Sequence, residues 1–149
     1  FSGDDVGMAD PNAMLMATSA FFACKNMGMP ECRYALAQTV IYLSLAPRSN
    51  SVAVAIDRAL SDVRNRPAEP VPMQLRNAET KLMEQLGYGK GYEYPEGTEE
   101  KITKMQCLPD SLKDAIYYTP GDRGNEAFYR KRLEAIRDWK AGRREDPPE

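Results

Sequence analysis

The sequence contains no histidine. Without an imidazole it can hold neither a Ser–His or Cys–His nucleophilic pair nor a zinc site of mixed cysteine and histidine. Cysteine is scarce too. Cys24, Cys32 and Cys107 are odd in number and stand at spacings that match no zinc or redox motif. Cys24 falls on an apolar helical face and reads as a buried thiol of a reducing compartment. No stretch approaches the roughly 18 apolar residues of a membrane span. The start lacks the basic and apolar regions of a secretory leader. Charge of either sign is not in excess: 20 basic against 22 acidic side chains leave a net −2, with no general pull toward nucleic acid. The first residue is not Met, and the opening FSGDDVG is expected to be part of something longer.

What is present is enough for one core. A chain of 149 residues, 42% apolar and 28% charged, has the make-up of a folded globular protein. At that size about 68–70% of the unfolded surface is buried without help from disulfides or metal. A single domain over 1–149 is expected, with a helical core at 9–66 and an appended arm at 67–149.

The first half has helical periodicity. Asp10-Pro11 is a start signal, a carboxylate for the orphan amides followed by Pro in the first turn. Ala13, Ala17, Ala20, Phe21, Cys24 and Met27 then recur three and four apart up to Gly28, a stop. Pro30 opens a second helix with Ala37, Val40, Ile41 and Leu45 expected inward. Ser49 is placed to cap a third, whose apolar face is Val52, Ala55, Ile56, Ala59, Leu60 and Val63. Short loops predict three antiparallel neighbours. The first helix is apolar beyond one stripe: Met14, Leu15, Met16 and Phe22 add a second face, so the helix is either central in a core or shared with a partner, and with Phe21 these residues are the candidate oligomer face.

The second half is irregular. Pro67–Pro72 is an extended connector. A short helix over 78–86 is expected to be capped by Asn77, with Leu82, Met83 and Leu86 inward. Leu75, Leu82, Leu86 and Tyr88 would dock this half on the core. Residues 88–107 read as an ordered loop, acidic over 93–106 with Glu99 and Glu100, and held by Tyr88, Tyr92 and Tyr94. Residues 107–120 contain a helical turn. A long helix runs from Gly124 to Ala141, with Asp122 of Asp122-Arg123-Gly124 as its cap, and the tail after Arg143 is expected to fray. The architecture expected is an all-α helical bundle with a loop-rich second half ending in a long helix.

The stretch GYGKG (87–91) has the look of a phosphate loop, but its order is reversed. Such a loop precedes a helix and ends in Lys-Ser or Lys-Thr. Here the helix comes first, Lys90 is followed by Gly91, and a helix C-terminus repels phosphate. Gly87 is a helix stop, with Gly89 and Gly91 turning the chain. No acid–base pair emerges elsewhere, so no catalytic, cofactor or metal residues are assigned. The last helix is locally basic through Arg130, Lys131, Arg137, Lys140, Arg143 and Arg144. These are candidate contacts to a DNA backbone, set against a solvated face with i,i+4 pairs.

Four blocks carry a family resemblance. DDVGMADPNAM (4–14), ALAQTVIYLSLAPRSNSVAVAI (35–56), VPMQLRNAETKLMEQLGYGKGYEY (71–94) and YYTPGDRGNEAFYRKRLEAI (117–136) occur in the order found in the C-terminal region of the replication-associated recombination protein A family. This family comprises the MgsA and Werner-helicase-interacting AAA+ ATPases. The resemblance implies a domain like the clamp-loader collar, holding a homotetramer, without the N-terminal AAA+ module that binds ATP and magnesium. It also implies a parent protein that acts as a DNA-dependent ATPase in replication-fork maintenance, recombination and repair. Such a protein works in the cytoplasm near the nucleoid, away from membranes and with DNA and fork proteins as partners. The family signature includes Asp10, Pro11, Arg76, Asn77, Lys81, Gly87, Gly89, Asp122, Arg123 and Gly124, of which Arg76, Asn77 and Lys81 are expected to cap and orient the 78–86 helix. Glu79 stands where many members have Pro, and the loop 93–106 is shorter and more acidic than theirs. The alternative to an assembly domain is a DNA- or partner-binding module that uses the last helix.

Overall fold

The computed structural model describes residues 1–98 and 101–145 and is all helical. Five α-helices follow in order: α1 Asn12–Met27, α2 Arg33–Leu45, α3 Ser51–Asn65, α4 Lys81–Gln85 and α5 Glu126–Lys140. Single 3-10 turns lie at Gly7–Ala9, Met73–Leu75, Pro95–Gly97 and Asp110–Leu112, and a π-helical turn at Ser2–Val6. No strand occurs among the described residues. Glu99 and Glu100 of the acidic loop, and the expected frayed end from residue 146, lie outside the described residues. The chain forms two compact units, Phe1–Asp62 with Tyr117–Lys131, and Val63–Ile116 with Arg132–Glu149. Residues 117–131 belong with the N-terminal unit.

In the first unit the start and stop of α1 follow the expected chemistry. Asp10 Oδ1 accepts from the Asn12 amide at 3.1 Å. Gly28 takes φ 70° and its N–H closes on the Cys24 carbonyl. Asp10 has a further role: the Tyr42 hydroxyl donates to its Oδ2 at 2.6 Å, tying α2 to the head of α1. Helices α1 and α2 pack on each other, whereas α3 does not join them as a third packed neighbour. No residue of α3 is fully buried; Ile56 and Val63 of its expected inner face are exposed.

The inner face of α2 also differs from expectation. Ala37, Val40, Ile41 and Leu45 point outward, and Cys32 and Thr39, seven apart, point in. The Thr39 hydroxyl donates to the Met16 carbonyl at 3.5 Å. Small side chains at this contact let α1 and α2 approach closely, which the bulkier aliphatic set would prevent. Cys32 is buried, Cys24 half-buried and Cys107 exposed.

The core of this unit is built on small residues: Val6, Ala9, Ala13 and Ala20 are buried. The Asn125 amide donates to the Ala9 carbonyl at 2.8 Å and the Ser49 amide to the Asp5 carbonyl at 2.8 Å. Gly124, at φ 54°, sits where a Cβ would lie 2.1 Å from the Ala9 oxygen and 2.8 Å from Pro47 Cγ. Only glycine fits there.

In the second unit Thr80, not Asn77, caps α4, its Oγ1 accepting from the Met83 amide at 3.2 Å. Thr80 holds the extended conformation a cap needs, while Asn77 lies three residues too early. Gly87 ends the helix at φ 87°. Its N–H bonds the Glu84 carbonyl and the Tyr88 N–H bonds the Met83 carbonyl. This paired pattern is a Schellman motif. Leu82 and Leu86 are exposed instead of inward. Trp139 is the buried aromatic of this unit, with Lys104 Nζ 4.8 Å above its ring.

Candidate assembly surface

The surface that stands out in the first unit is the apolar back of α1. Ala13 and Ala20, seven residues apart, face the core. Met14 and Phe21, and Leu15 and Phe22, repeat the same spacing one and two positions later. Seven residues bring a helix nearly back to the same azimuth, so these four form a stripe turned away from the core. Leu15 and Phe21 are each 64% exposed, Phe22 53% and Met14 51%. The Phe21 and Phe22 rings meet edge to face at 5.7 Å. Met16, the fifth member expected, is half-buried, and its carbonyl receives Thr39.

Helix α2 also has exposed apolar residues. Val40 (66%), Ile41 (60%) and Leu45 (80%) are exposed. Ile41, Tyr42, Leu45, Ala46 and Pro47, with Asp10 and Gln38, line a shallow cavity of about 340 Å³. The hydrogen bond to Asp10, then burial, raise the Tyr42 phenol above its ordinary pKa of 10.0, so it stays a donor at neutral pH.

The unit is also held by a carboxylate that sequence reasoning missed. Glu126, the first residue of α5, is fully buried. Its Oε1 accepts from the Tyr118 hydroxyl at 3.0 Å and from the Ser51 hydroxyl. Its Oε2 accepts from the Gly121 amide at 2.9 Å. Burial alone pushes the carboxyl upward, but hydrogen bonds from Ser49, Ser51, Gly121 and Tyr118 outweigh it and hold the pKa below 4.5. Tyr118 moves the other way, pushed up to about 12 by burial and then by its bond to Glu126. Asp122, the expected cap of α5, is exposed, and Arg123 contributes its carbonyl to the Glu126 amide. The one sequence hint was an acidic residue at a helix start, which reads as a surface feature.

The basic residues of the last helix are placed unequally. Arg130 donates through Nε and Nη2 to the Pro120 carbonyl at 3.3 and 3.2 Å, so it braces the loop. Arg143 is paired with Asp138 Oδ1 at 2.9 and 2.7 Å. Lys131, Lys140 and Arg144 are exposed, and Arg137 is half-buried.

Among the other signature residues, Lys81 and Asn77 are exposed, and Arg76 is fixed by its Nε to the Val71 carbonyl at 2.6 Å. The glycine stretch 87–91 follows the carbonyl end of α4 and does not fit a nucleotide phosphate. Among the described residues, no group of three or more Cys, Asp or Glu could hold a metal ion, and no helix is long and apolar enough to cross a membrane.

Comparison with known proteins gives a consistent picture. The family model described as MgsA AAA+ ATPase C terminal matches residues 1–137. The chain is 40% identical over 138 residues to replication-associated recombination protein A of Haemophilus influenzae, covering 92% of the chain and 31% of that protein. The protein of the same name from Escherichia coli K12 is 39% identical over 133 residues, or 89% of the chain and 30% of that protein. ATPase WRNIP1 of Dictyostelium discoideum is 34% identical over 118 residues, which are 78% of the chain and 14% of that protein. The chain therefore spans under a third of the length of these relatives.

Proposed function

The chain belongs to the family of MgsA AAA+ ATPase C-terminal regions, and from that premise we propose that it is a non-catalytic domain that joins copies of itself into a homotetramer. One observation carries the reading: Met14, Leu15, Phe21 and Phe22 are exposed apolar side chains on one side of α1, and Val40, Ile41 and Leu45 of α2 are exposed too. Exposed apolar surface of this kind is unfavourable in water and is relieved by association. The parent protein, in this reading, is a DNA-dependent ATPase of replication-fork maintenance, recombination and repair, in the cytoplasm near the nucleoid. ATP and magnesium would bind in the AAA+ module outside this chain, because the residues present do not fit a nucleotide phosphate.

The alternative, a DNA- or partner-binding module on the last helix, is weaker. Arg130 and Arg143 are engaged within the fold, which leaves Lys131, Arg137, Lys140 and Arg144 as candidates. Light scattering at low and high salt separates the two. The expected result is a mass near four protomers that persists at high salt, since apolar contacts do not weaken with ionic strength. Phe22→Asp should reduce it to the 16.7 kDa monomer. A monomer at every protein concentration would overturn the reading.

A further inference from the structure

The second unit holds a cavity of about 560 Å³ between the turn at residues 74–78 and the loop at 88–94. That volume lies within the range of small-molecule sites, about 300–1,000 Å³. Its lining includes Gln74, Arg76, Asn77, Tyr88, Tyr92 and Tyr94, and no acidic residue lines it among the described residues. We infer that this cavity receives an unpaired base of single-stranded nucleic acid, stacked on the tyrosines.

The geometry is that of a stacking platform with a polar edge. Tyr94 is 72% exposed and meets Tyr92 edge to face at 4.7 Å, so aromatic surface stays open to a planar guest. At the other side Arg76 lies over the Tyr88 ring, its Cζ 5.4 Å from the centroid. The bond from Arg76 Nε to Val71 holds the guanidinium plane, and its two terminal nitrogens have no hydrogen-bond partner among the described residues. A planar, oriented cation beside aromatic rings suits a base face or edge.

Asn77 likewise has no hydrogen-bond partner among the described residues, and Gln74 uses only its Nε2, donating to the Gln106 carbonyl at 2.7 Å. The amide of Asn77 and the free oxygen of Gln74 can meet the donors and acceptors of a base edge. The loop is set by backbone contacts: the Gly89 N–H donates to the Met73 carbonyl at 2.9 Å, and its Cβ-free position lets it close on the Arg76 carbonyl. Lys90, exposed in the same loop, is placed to meet the adjoining phosphate.

The segment that follows the glycine stretch thus presents exposed aromatic rings, Tyr92 and Tyr94. The basic residues of the last helix would meet phosphates, so contacts there would not distinguish a strand with bases from an abasic one. The site does not depend on the proposed tetramer.

The test is fluorescence anisotropy of the protein with a labelled oligothymidylate and with an abasic strand of equal length and charge. The expected result is tighter binding to the strand that carries bases. Tyr94→Ala and Tyr92→Ala should each weaken that binding by about 5- to 150-fold, the span of one lost stacking contact, without changing binding to the abasic strand. Tyr94→Phe should retain it, which separates stacking from loss of fold. Equal affinity for the two strands, no binding to either, or an unaffected Tyr94→Ala variant would overturn the inference. So would a loss on both strands caused equally by Lys140→Glu, because binding would then be to phosphate alone.

Discussion

Replacing Glu126 with Gln tests the arrangement that holds the first unit together. The carboxylate is fully buried and accepts on both oxygens, from the Ser51 and Tyr118 hydroxyls at Oε1 and from the Gly121 N–H at Oε2. Gln keeps the volume but turns one oxygen into a donor. If its NH2 faces Gly121, two donors oppose each other. If it faces the hydroxyls, their own protons lose the acceptor. Either way at least one buried donor is orphaned, at about 1–3 kcal/mol. Losing charge on the remaining bonds adds about 1 kcal/mol, since bonds to an ionised acceptor are about twice as strong as neutral ones. The expected destabilisation is about 2–4 kcal/mol, read by urea denaturation followed by circular dichroism at neutral pH. Glu126→Ala should be worse by adding a cavity, in the range of about 3–5 kcal/mol.

A pH series supplies the sign. The folded pKa of Glu126 is depressed, so its contribution is complete above the unfolded value, 4.5, and is lost as pH falls through the folded pKa. Stability of the parent should decline below that point more steeply than that of the Gln variant. A Gln variant within about 0.5 kcal/mol of the parent at neutral pH, the usual scatter of surface substitutions, would refute the argument.

Gly124→Ala should destabilise the first unit by at least about 2–3 kcal/mol, because it adds a side chain 2.1 Å from the Ala9 oxygen at a positive φ; a thermal melt reads this directly. Thr80→Ala should cost about 1 kcal/mol of local stability, seen as faster hydrogen exchange of the Met83 amide that its hydroxyl now caps. Tyr42→Phe should cost about 0.5–1.5 kcal/mol for the lost bond to Asp10. In the chain that keeps Tyr42, Asp10→Asn should make that tyrosine titrate closer to its ordinary pKa by ultraviolet absorbance, as the main cause of its shift is removed.

Helix ends were the most legible part of this fold. Asp10, Gly28 and Gly87 perform the roles their types predict, because a cap or a positive φ is a local requirement that the residue itself meets. Burial was less legible. Helix α2 carries apolar residues on more than one arc, and periodicity cannot say whether Thr39 or Val40 turns inward when the decisive contact is a hydroxyl to a carbonyl on another helix. Thr80 and Asn77 are both good caps by type, and only backbone conformation chooses between them. The apolar stripe of α1 was visible as an excess of hydrophobic residues, and the structure adds which side of the helix carries it. Glu126 was hidden because its partners at 49–51, 118 and 121 are brought to it by the fold. The tyrosines of 88–94 were read as loop packing, whereas Tyr92 and Tyr94 are exposed.

The bond between Ser51 and Glu126 joins positions 75 residues apart, and it sets a timetable for synthesis. When α1, α2 and the start of α3 leave the ribosome, the serines that will hold the carboxylate have nothing to hold. The intervening connector and tyrosine-bearing loop must be made first, and then residues 117–126 must return. Until then the first unit lacks both its buried anion and the Asn125 contact to Ala9, while the stripe of α1 is already in water. A nascent chain stalled before Tyr117 is accordingly expected to lack both contacts, and closing a loop of this length carries an entropic cost that local helix formation does not.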